Sequence, residues 1–283
     1  LLRRTDGEPA LRNLSPEKVA SLTDRDSQDR LLLLIPTTSY RVADFLDAAH
    51  RLGVDVAVGS NQRQVLEAFA DGRTVTINFQ DLEKGVREIC AYARDYPLSA
   101  ILGVDEETTV LASKASKALG LAHNAPDAVE ATANKFRFRT ALANSGLLMP
   151  PFSLLSVDAD PERAAREAAY PCVLKPLMLS ASRGVIRADN PDEFITAFHR
   201  ITQILKQPDV VTMGDAAKHI LVEGYIAGRE VALEGLLDGG RLTVLALFDK
   251  PDPLEGPFFE ETIYITPSRL PESWQNRVID ATV

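Results

Sequence analysis

Short apolar runs alternate with amphipathic stretches over the first part of the chain. The run from Leu31 to Ile35 is continuously apolar and stops at Pro36, as expected for a strand that is buried on both faces. Apolar residues between Val42 and Leu52 then recur at helical spacing and stop at Gly53. The same alternation predicts strands at 54–58, 75–79 and 100–104 and helices at 64–70, 82–93 and 106–119, the last of them closed by Gly120. This order predicts a parallel sheet that is covered on both faces.

From about residue 125 the pattern changes to longer helices and paired strands. Helices are predicted at 131–145, 162–169 and 192–206, and strands at 152–156, 172–176, from 185, at 220–223 and within 230–248. Asp238, Gly239 and Gly240 predict a hairpin turn in the last of these stretches. The predicted fold class is therefore α/β, with a Rossmann-like parallel-sheet domain followed by an α+β domain with antiparallel sheets. The predicted limits are 1–28 for a polar lead-in, 29–124 and 125–283 for the two domains, and 153–225 for a small lobe.

Composition and charge narrow the class of function. The net charge of -9 over 283 residues argues against a nucleic-acid binder, which needs clustered Lys and Arg to neutralise phosphates. No apolar run approaches the roughly 20 residues that cross a bilayer, so no membrane partner is expected. Cys90 and Cys172 are far apart and indicate no disulfide framework, which favours a cytoplasmic location. No Gly-x-Gly-x-x-Gly follows the first strand and no Walker sequence is present, so two common phosphate cradles are missing.

A lysine followed by small residues is the first candidate for chemistry. Lys175 stands near the end of a predicted apolar strand, and a loop of small residues closed by Gly184 leads to the next strand. The backbone N–H groups of such a loop can approach phosphate oxygens without obstruction by side chains, and the lysine adds a positive charge. Taken alone, the loop is equally well explained as an ordinary Ser/Gly hairpin.

An acidic linker is the second candidate. An apolar strand leads to Glu223, a short linker continues to Ile226, and Glu230 begins the next strand. An extended linker can offer adenine one backbone acceptor and one donor, and Glu230 can accept the hydroxyl groups of a ribose. Glu230 and Glu234 share one face of the predicted strand. That arrangement is also typical of a strand face in contact with solvent.

Together these features resemble the ATP-grasp superfamily. The resemblance rests on the order of Lys135 in Asn-Lys-Phe, Lys175 with its Ser-rich loop, and the linker from Glu223 to Glu230. Segments 247–251 and 256–262 resemble, within that superfamily, the carboxylate–amine ligases that make dipeptides. The resemblance covers about residues 29–283, and it identifies 29–124 with a pre-ATP-grasp domain and the remainder with an ATP-grasp domain. It implies an enzyme that uses ATP to activate a carboxylate as an acyl phosphate for attack by an amine, with an amino acid as the expected amine.

The resemblance also implies a set of site residues. The residues implied to hold or cover the ATP phosphates are Lys135, Lys175, Ser180, Ala181, Ser182, Arg183 and Gly184. Those implied to bind adenine through their backbone are Glu223, Gly224, Tyr225 and Ile226, and Glu230 is implied to bind the ribose. The residues near the implied amino-acid substrate are Glu234, Lys250, Glu261 and Tyr264, the last two on a strand predicted at 260–264. The implied partners are small-molecule carboxylate and amine substrates, and a homodimer is left open.

Magnesium is an implied cofactor without an assigned ligand. The family places its magnesium ligands, and an arginine that steadies the acyl phosphate, on later strands, so the chain is expected to be truncated and the ligands to lie beyond Val283. Two alternatives stay open. One is a nucleotide-binding module without catalysis, and the other is an ATP-grasp carboxylase that uses bicarbonate or biotin.

Overall fold

The computed structural model describes residues 30–63 and 72–282. The chain forms two compact units that divide between Phe138 and Arg139. The predicted lead-in at 1–28 and the predicted helix at 64–70 lie outside the described residues.

The first unit, up to Phe138, is built on a parallel four-stranded sheet. Its strands are β1 (Arg30–Leu34), β2 (Asp55–Ser60), β3 (Thr74–Thr76) and β4 (Ala100–Gly103), in the spatial order β3-β2-β1-β4. The helices are α1 (Val42–Leu52), α2 (Leu82–Asp95), α3 (Glu106–Leu119) and α4 (Pro126–Ala133). Leu32 and Leu34 pack into one apolar cluster while Leu33 packs into another, so β1 is covered on both faces. The prediction of a covered parallel sheet is confirmed.

Single residues determine where several of these helices begin and end. Helices α1 and α3 end at Gly53 and Gly120, whose φ angles of 66° and 69° lie in the left-handed region that glycine adopts readily. The prediction of one helix over 131–145 is wrong. Asn134 has an extended backbone, and its Oδ1 accepts hydrogen bonds from the N–H groups of Phe136 and Arg137 at 3.1 and 3.2 Å. This capping starts a new helix, α5 (Lys135–Asn144).

The second unit, from Arg139 onward, contains an antiparallel four-stranded sheet in the order β5-β8-β6-β7. Its strands are β5 (Phe152–Ser156), β6 (Cys172–Pro176), β7 (Ile186–Ala188) and β8 (His219–Gly224). The helices are α6 (Pro161–Glu167), α7 (Pro191–Leu205) and α8 (Pro208–Val211), followed by a 3₁₀ turn at Gly214–Lys218. Neither α8 nor the 3₁₀ turn is predicted by the hydrophobic pattern, because both are too short to show a period.

Alternation along β6 and β8 gives this sheet one core face and one face that carries polar groups. Leu174 and Ile220 pack against Phe194 and Ile201 of α7. Lys175 points to the opposite side of β6 from Leu174, since successive side chains alternate across a strand. The face opposite α7 therefore carries Lys175 and, opposite Val173 in the register, Glu223.

A second, two-stranded sheet follows. Strands β9 (Val231–Asp238) and β10 (Arg241–Asp249) pair antiparallel through a turn at Gly239 and Gly240, which both have positive φ, and the predicted hairpin is confirmed. The helix α9 (Glu272–Thr282) comes last among the described residues. The strand predicted at 260–264 is wrong: next to this segment, Ile265 pairs with Asp249 as an isolated bridge, and no ladder forms over 260–264. The prolines at 257 and 267 flank the segment and lack the N–H donors that a longer ladder needs.

Candidate functional site

A buried carboxylate joins two cations on the polar face of the four-stranded sheet. Glu223, near the end of β8, is only 5% exposed. Arg139 of α5 donates from Nε to its Oε2 at 2.9 Å, and Lys175 of β6 donates from Nζ to its Oε1. The strand register places Val173 opposite Glu223, so Lys175 is a diagonal neighbour of Glu223 on the same face. We call Arg139, Lys175 and Glu223 the Lys175 cluster.

The electrostatics of this cluster favour a charged carboxylate. Burial, the largest single effect, raises the pKa of Glu223, but the hydrogen bond from Arg139 and the charge of Lys175 outweigh it, so the pKa lies below its usual value. With Glu223 ionised, the cluster carries two positive charges and one negative charge. The excess positive charge suits an anionic ligand such as phosphate.

The small-residue loop between β6 and β7 has an unusual backbone. Ala181 and Ser182 have φ angles of 52° and 56°, and Gly184 has a φ of 79°. Non-glycine residues rarely adopt this region, and such conformations cluster at ligand clamps. A Cβ atom on Gly184 would lie 2.8 Å from Cγ of Pro176, so a larger residue there is also excluded sterically. Glycine is therefore required where the loop returns to the sheet.

Arg183, at the tip of this loop, is tied to the segment after α7. Its guanidinium donates to Asp209 at 2.7 Å and also to Gln207. Both side chains of the ion pair are substantially exposed, so solvent screens the attraction. The loop is thus held by a weak contact that can be broken.

The linker after β8 has two of its backbone donors engaged by the fold. The N–H of Gly224 donates to the carbonyl of Pro151 at 2.9 Å, and that of Tyr225 to the carbonyl of Pro171 at 3.0 Å. Ile226 is 68% exposed, and its N–H has no hydrogen-bond partner among the described residues. The guanidinium of Arg187 stacks on the Tyr225 ring at 4.0 Å. The linker is fixed in place and presents one unused donor.

A second group of charged residues lies beside the β9–β10 sheet. Lys250, only 11% exposed at its side chain, donates to Glu230 at 2.5 Å and to Glu261 at 2.6 Å. The hydroxyl of Tyr264 donates to Oε2 of Glu261, and the ammonium of Lys250 lies 5.4 Å from the centre of the Tyr264 ring. We call Glu230, Lys250, Glu261 and Tyr264 the Lys250 cluster. It brings the implied ribose residue together with three of the residues implied for the substrate.

The pKa shifts in the Lys250 cluster follow from this bonding. Burial, the largest single effect, lowers the pKa of Lys250, but the hydrogen bonds to Glu230 and Glu261 together raise it above its usual value. The hydrogen bonds from Lys250 and then from Tyr264 lower the pKa of Glu261. The hydrogen bond to Glu261, followed by burial, raises the pKa of Tyr264. Lys250 and Glu261 are therefore held in their ionised forms, with a neutral phenol at Tyr264, around neutral pH.

Two predicted site residues lie outside these clusters, the loop of 180–184 and the linker of 224–226. Glu234 is exposed on β9 and has no ion-pair partner among the described residues. Lys135 begins α5 and belongs to the first unit, whereas Lys175 belongs to the second. That the two lysines converge on one phosphate chain stays a prediction.

Arg139 is the functional candidate that the sequence-based assignment missed. It follows Lys135 by four residues on a predicted helix, which places the two on one helical face. That spacing is the signal that could have singled it out. Arg187, which stacks on Tyr225, follows no comparable pattern in the sequence.

The described residues contain neither a cluster of potential metal-ligating side chains nor a helix suited to crossing a membrane. Over 30–63 and 72–282, no group of three or more His, Cys, Asp or Glu side chains is arranged to hold a metal ion. Within the same ranges, no helix is both long and apolar enough to cross a membrane.

Comparison with curated proteins finds similarity to alanine–anticapsin ligases. Residues of this chain align with alanine–anticapsin ligase from Bacillus amyloliquefaciens at 25% identity over 211 residues, or 70% of this chain. The corresponding ligase of Bacillus subtilis is equally similar, at 25% identity over 211 residues. The alignments cover 44% of each relative, so the chain spans less than half of the length of these proteins.

Solved structures share the fold. The crystal structure of an L-amino acid ligase from Bacillus licheniformis superposes with a TM-score of 0.74 at 24% identity, covering 90% of this chain and 61% of that protein. The biotin carboxylase domain of 2-oxoglutarate carboxylase from Hydrogenobacter thermophilus, solved as a dimer with MgADP, ADP and bicarbonate, gives a TM-score of 0.65 at 16% identity. It covers 90% of this chain and 56% of that one. At these identities the likeness shows the fold.

Family comparisons match both parts of the chain. Residues 46–123 match the ATP-grasp N-terminal domain, and residues 168–283 match the ATP-grasp domain. The sheet with the Lys175 cluster and the hairpin with the Lys250 cluster both lie largely inside the second match. With these two domains in this order, the chain belongs to the ATP-grasp family.

Proposed function

We propose that this chain binds ATP within an ATP-dependent carboxylate–amine ligase whose amine substrate is an amino acid. The observation that carries the proposal is the Lys175 cluster, in which two cations flank one carboxylate on a sheet face between the small-residue loop and the linker. The names of the curated relatives, alanine–anticapsin ligases, support the choice of ligase chemistry.

The two ends of β6 fit the two ends of a nucleotide. The loop of 180–184 follows Pro176, and the linker of 224–226 begins opposite Cys172 in the strand register. These points are separated by about 13 Å at the rise of about 3.3 Å per strand residue, which an extended nucleoside triphosphate can span. Adenine would meet the unused N–H of Ile226, and the phosphates would lie near Lys175 beneath the loop.

The protein's contribution to the reaction would be positioning and charge stabilisation. In such a ligase the terminal phosphoryl group of ATP passes to a substrate carboxylate, and the amine nitrogen then displaces phosphate and loses a proton, leaving an amide, ADP and phosphate. Lys135 and Lys175 would stabilise the phosphate charge, and the loop of 180–184 would exclude water. Both roles are proposals for these residues.

The Lys250 cluster is proposed to face the ribose and the amino-acid substrate. Only Oε1 of Glu230 is engaged by Lys250 among the described contacts, so Oε2 remains to accept a ribose hydroxyl. The cluster has one cation and two carboxylates, and this excess of negative charge suits an ammonium group of a substrate near Glu261. Glu234 keeps only its sequence-based assignment.

Magnesium, a homodimer, a cytoplasmic location and the domain limits of 29–124 and 125–283 stay predictions. The described residues supply cations and backbone donors that fit a nucleotide, but they contain no carboxylate cluster that fits a magnesium ion. A dimer and MgADP are features of the carboxylase structure from Hydrogenobacter thermophilus.

The test has two stages, since binding and turnover can fail separately. Calorimetry on this chain should detect ATP binding that Lys175→Met weakens. ADP release by the whole protein should then require a pair of amino acids and Mg²⁺. Absence of ATP binding by the wild-type chain would refute the proposal. Binding without turnover on any amino-acid pair favours a nucleotide-binding module, and turnover with bicarbonate alone favours a carboxylase.

A further inference from the structure

Glu223 has two cationic partners where one would satisfy its charge. Arg139 occupies Oε2 and Lys175 occupies Oε1. A carboxylate that is 5% exposed needs a partner, because an unpaired charge in that environment is strongly destabilising. With Lys175 as sole partner, moving the lysine onto a phosphate would leave the carboxylate without compensation.

We propose that Arg139 is a positioning residue that neutralises Glu223 and thereby leaves Lys175 available to bind phosphate. The inference rests on the proposed binding of ATP by this chain. Arg139 acts through Glu223 and Lys175, so contact between its side chain and the nucleotide is unnecessary. Its presence determines how strongly Glu223 retains the ammonium group of Lys175.

The chemistry of the two cations suits this division of roles. The guanidinium of Arg139 is planar and always charged, and it donates from Nε with a fixed direction. The ammonium of Lys175 sits on a flexible stem with three rotatable donors, so it can reach from Glu223 towards another anion. Lys175 also stands beside Pro176, where β6 ends ahead of the loop of 180–184. The rigid cation therefore holds the carboxylate, and the flexible one is placed nearest the loop.

A double-mutant cycle tests the proposal with inorganic tripolyphosphate and ATP as probes. Arg139→Met should weaken binding of both probes by about tenfold, because Lys175 becomes the sole partner of Glu223. Glu223→Gln removes the competing charge and should leave binding equal to wild type or tighter. Combining the two changes should restore binding to within about threefold of wild type, since the neutral amide that replaces the carboxylate no longer retains the lysine.

The restoration distinguishes the proposal from a merely structural role for Arg139. If Arg139 served only to stabilise the fold, the double variant would bind no better than Arg139→Met, and that result would overturn the inference. Should Arg139→Met fail to fold, Glu223→Gln decides alone: a tenfold loss of tripolyphosphate binding would count against competition for Lys175. Thermal unfolding of each variant shows whether it is folded.

The remaining outcomes separate this inference from the proposed function. Arg163→Met is the matched control, since Arg163 pairs with Glu167 at 2.9 Å on an exposed face of α6 and should leave binding unchanged. If wild type binds neither probe, the proposed function fails. The other informative case is a wild type that binds both probes, with binding weakened by Lys175→Met and left unchanged by Arg139→Met. In that case the proposed function stands and the role of Arg139 is refuted.

Discussion

The Lys175 cluster and the Lys250 cluster use the same kinds of side chain in opposite proportions. Two cations surround one carboxylate at Lys175, whereas two carboxylates surround one cation at Lys250. The two lysine side chains are comparably covered, at 20% and 11% exposed. Burial therefore does not distinguish them, and the excess charge of each cluster does.

The difference indicates that the role of a lysine is set by its neighbours. Lys250 is held between two carboxylates, which keep it charged despite burial, so it acts as a tie between β10 and the segment containing Glu261. Lys175 shares a single carboxylate with Arg139, so part of its donor capacity is left for a ligand. We expect substitutions at Lys175 to affect ligand binding most, and those at Lys250 to affect stability most.

Replacing Lys175 should give the largest effect. Lys175→Met is expected to weaken ATP binding by about 1.5–3 kcal/mol, because charge-assisted hydrogen bonds to phosphate are lost. Isothermal calorimetry on the wild-type and variant chains measures this directly. Lys218→Met is a suitable control, since Lys218 is a largely exposed lysine paired with Asp215 at 3.8 Å. An unchanged affinity in Lys175→Met would remove this lysine from the phosphate site.

Replacing Lys250 should instead lower the stability of the fold. Lys250→Met leaves Glu230 and Glu261 facing each other without their shared cation. We expect a loss of about 1 kcal/mol in the free energy of unfolding, because both carboxylates are substantially exposed and solvent screens the attraction. Urea denaturation of the variant measures the loss. Lys250→Arg retains the charge and should recover part of it. A variant with wild-type stability and weakened tripolyphosphate binding would reverse the distinction between the two lysines.

The sequence was informative wherever one local rule decides the structure. Gly53 and Gly120 end their helices as predicted, and Gly239 with Gly240 closes the predicted hairpin, because a positive φ is needed at each position. The order of strands and helices likewise predicted the sheet of the first unit. The sequence was uninformative where partners distant along the chain decide, as at Arg139, which meets Glu223 from 84 residues away.

The same distinction between local and distant determinants holds for the candidate site. A lysine before a loop of small residues is visible in the sequence, as is an acidic linker. The pairing of Lys250 with Glu230 depends on the hairpin that brings residues 20 apart together, and Glu261 reaches the same lysine from an irregular segment that the pattern wrongly predicts as a strand. Periodicity carries no information about such a segment.

The acid limb of the stability curve should expose the charged state of Glu223. The pKa of Glu223 is lowered in the folded protein, so its carboxylate stabilises the fold fully at pH values above 4.5, the ordinary pKa of a glutamate. This contribution is lost as the pH falls through the lower pKa of the folded state. Glu223→Gln should therefore flatten the loss of melting temperature below about pH 4.5. Glu261→Gln is the matched comparison, since the pKa of Glu261 is lowered as well. An acid limb as steep in Glu223→Gln as in wild type would mean that Glu223 is not charged in the fold.

The smallest effect is expected at the loop of 180–184, which an exposed ion pair ties to the segment after α7. Asp209→Asn removes the charged partner of Arg183 and leaves only the neutral partner Gln207. It should speed cleavage by trypsin after Arg183 by a few fold, with little change in overall stability, because exposed pairs contribute little. ATP should slow the same cleavage in wild type and variant, if the loop closes over phosphates bound at Lys175. Cleavage after Arg241, in the β9–β10 hairpin, serves as an internal control that ATP should leave unchanged. Mass spectrometry of the fragments resolves the two sites, and equal protection of both by ATP would indicate a general tightening of the fold rather than closure of this loop beside the Lys175 cluster.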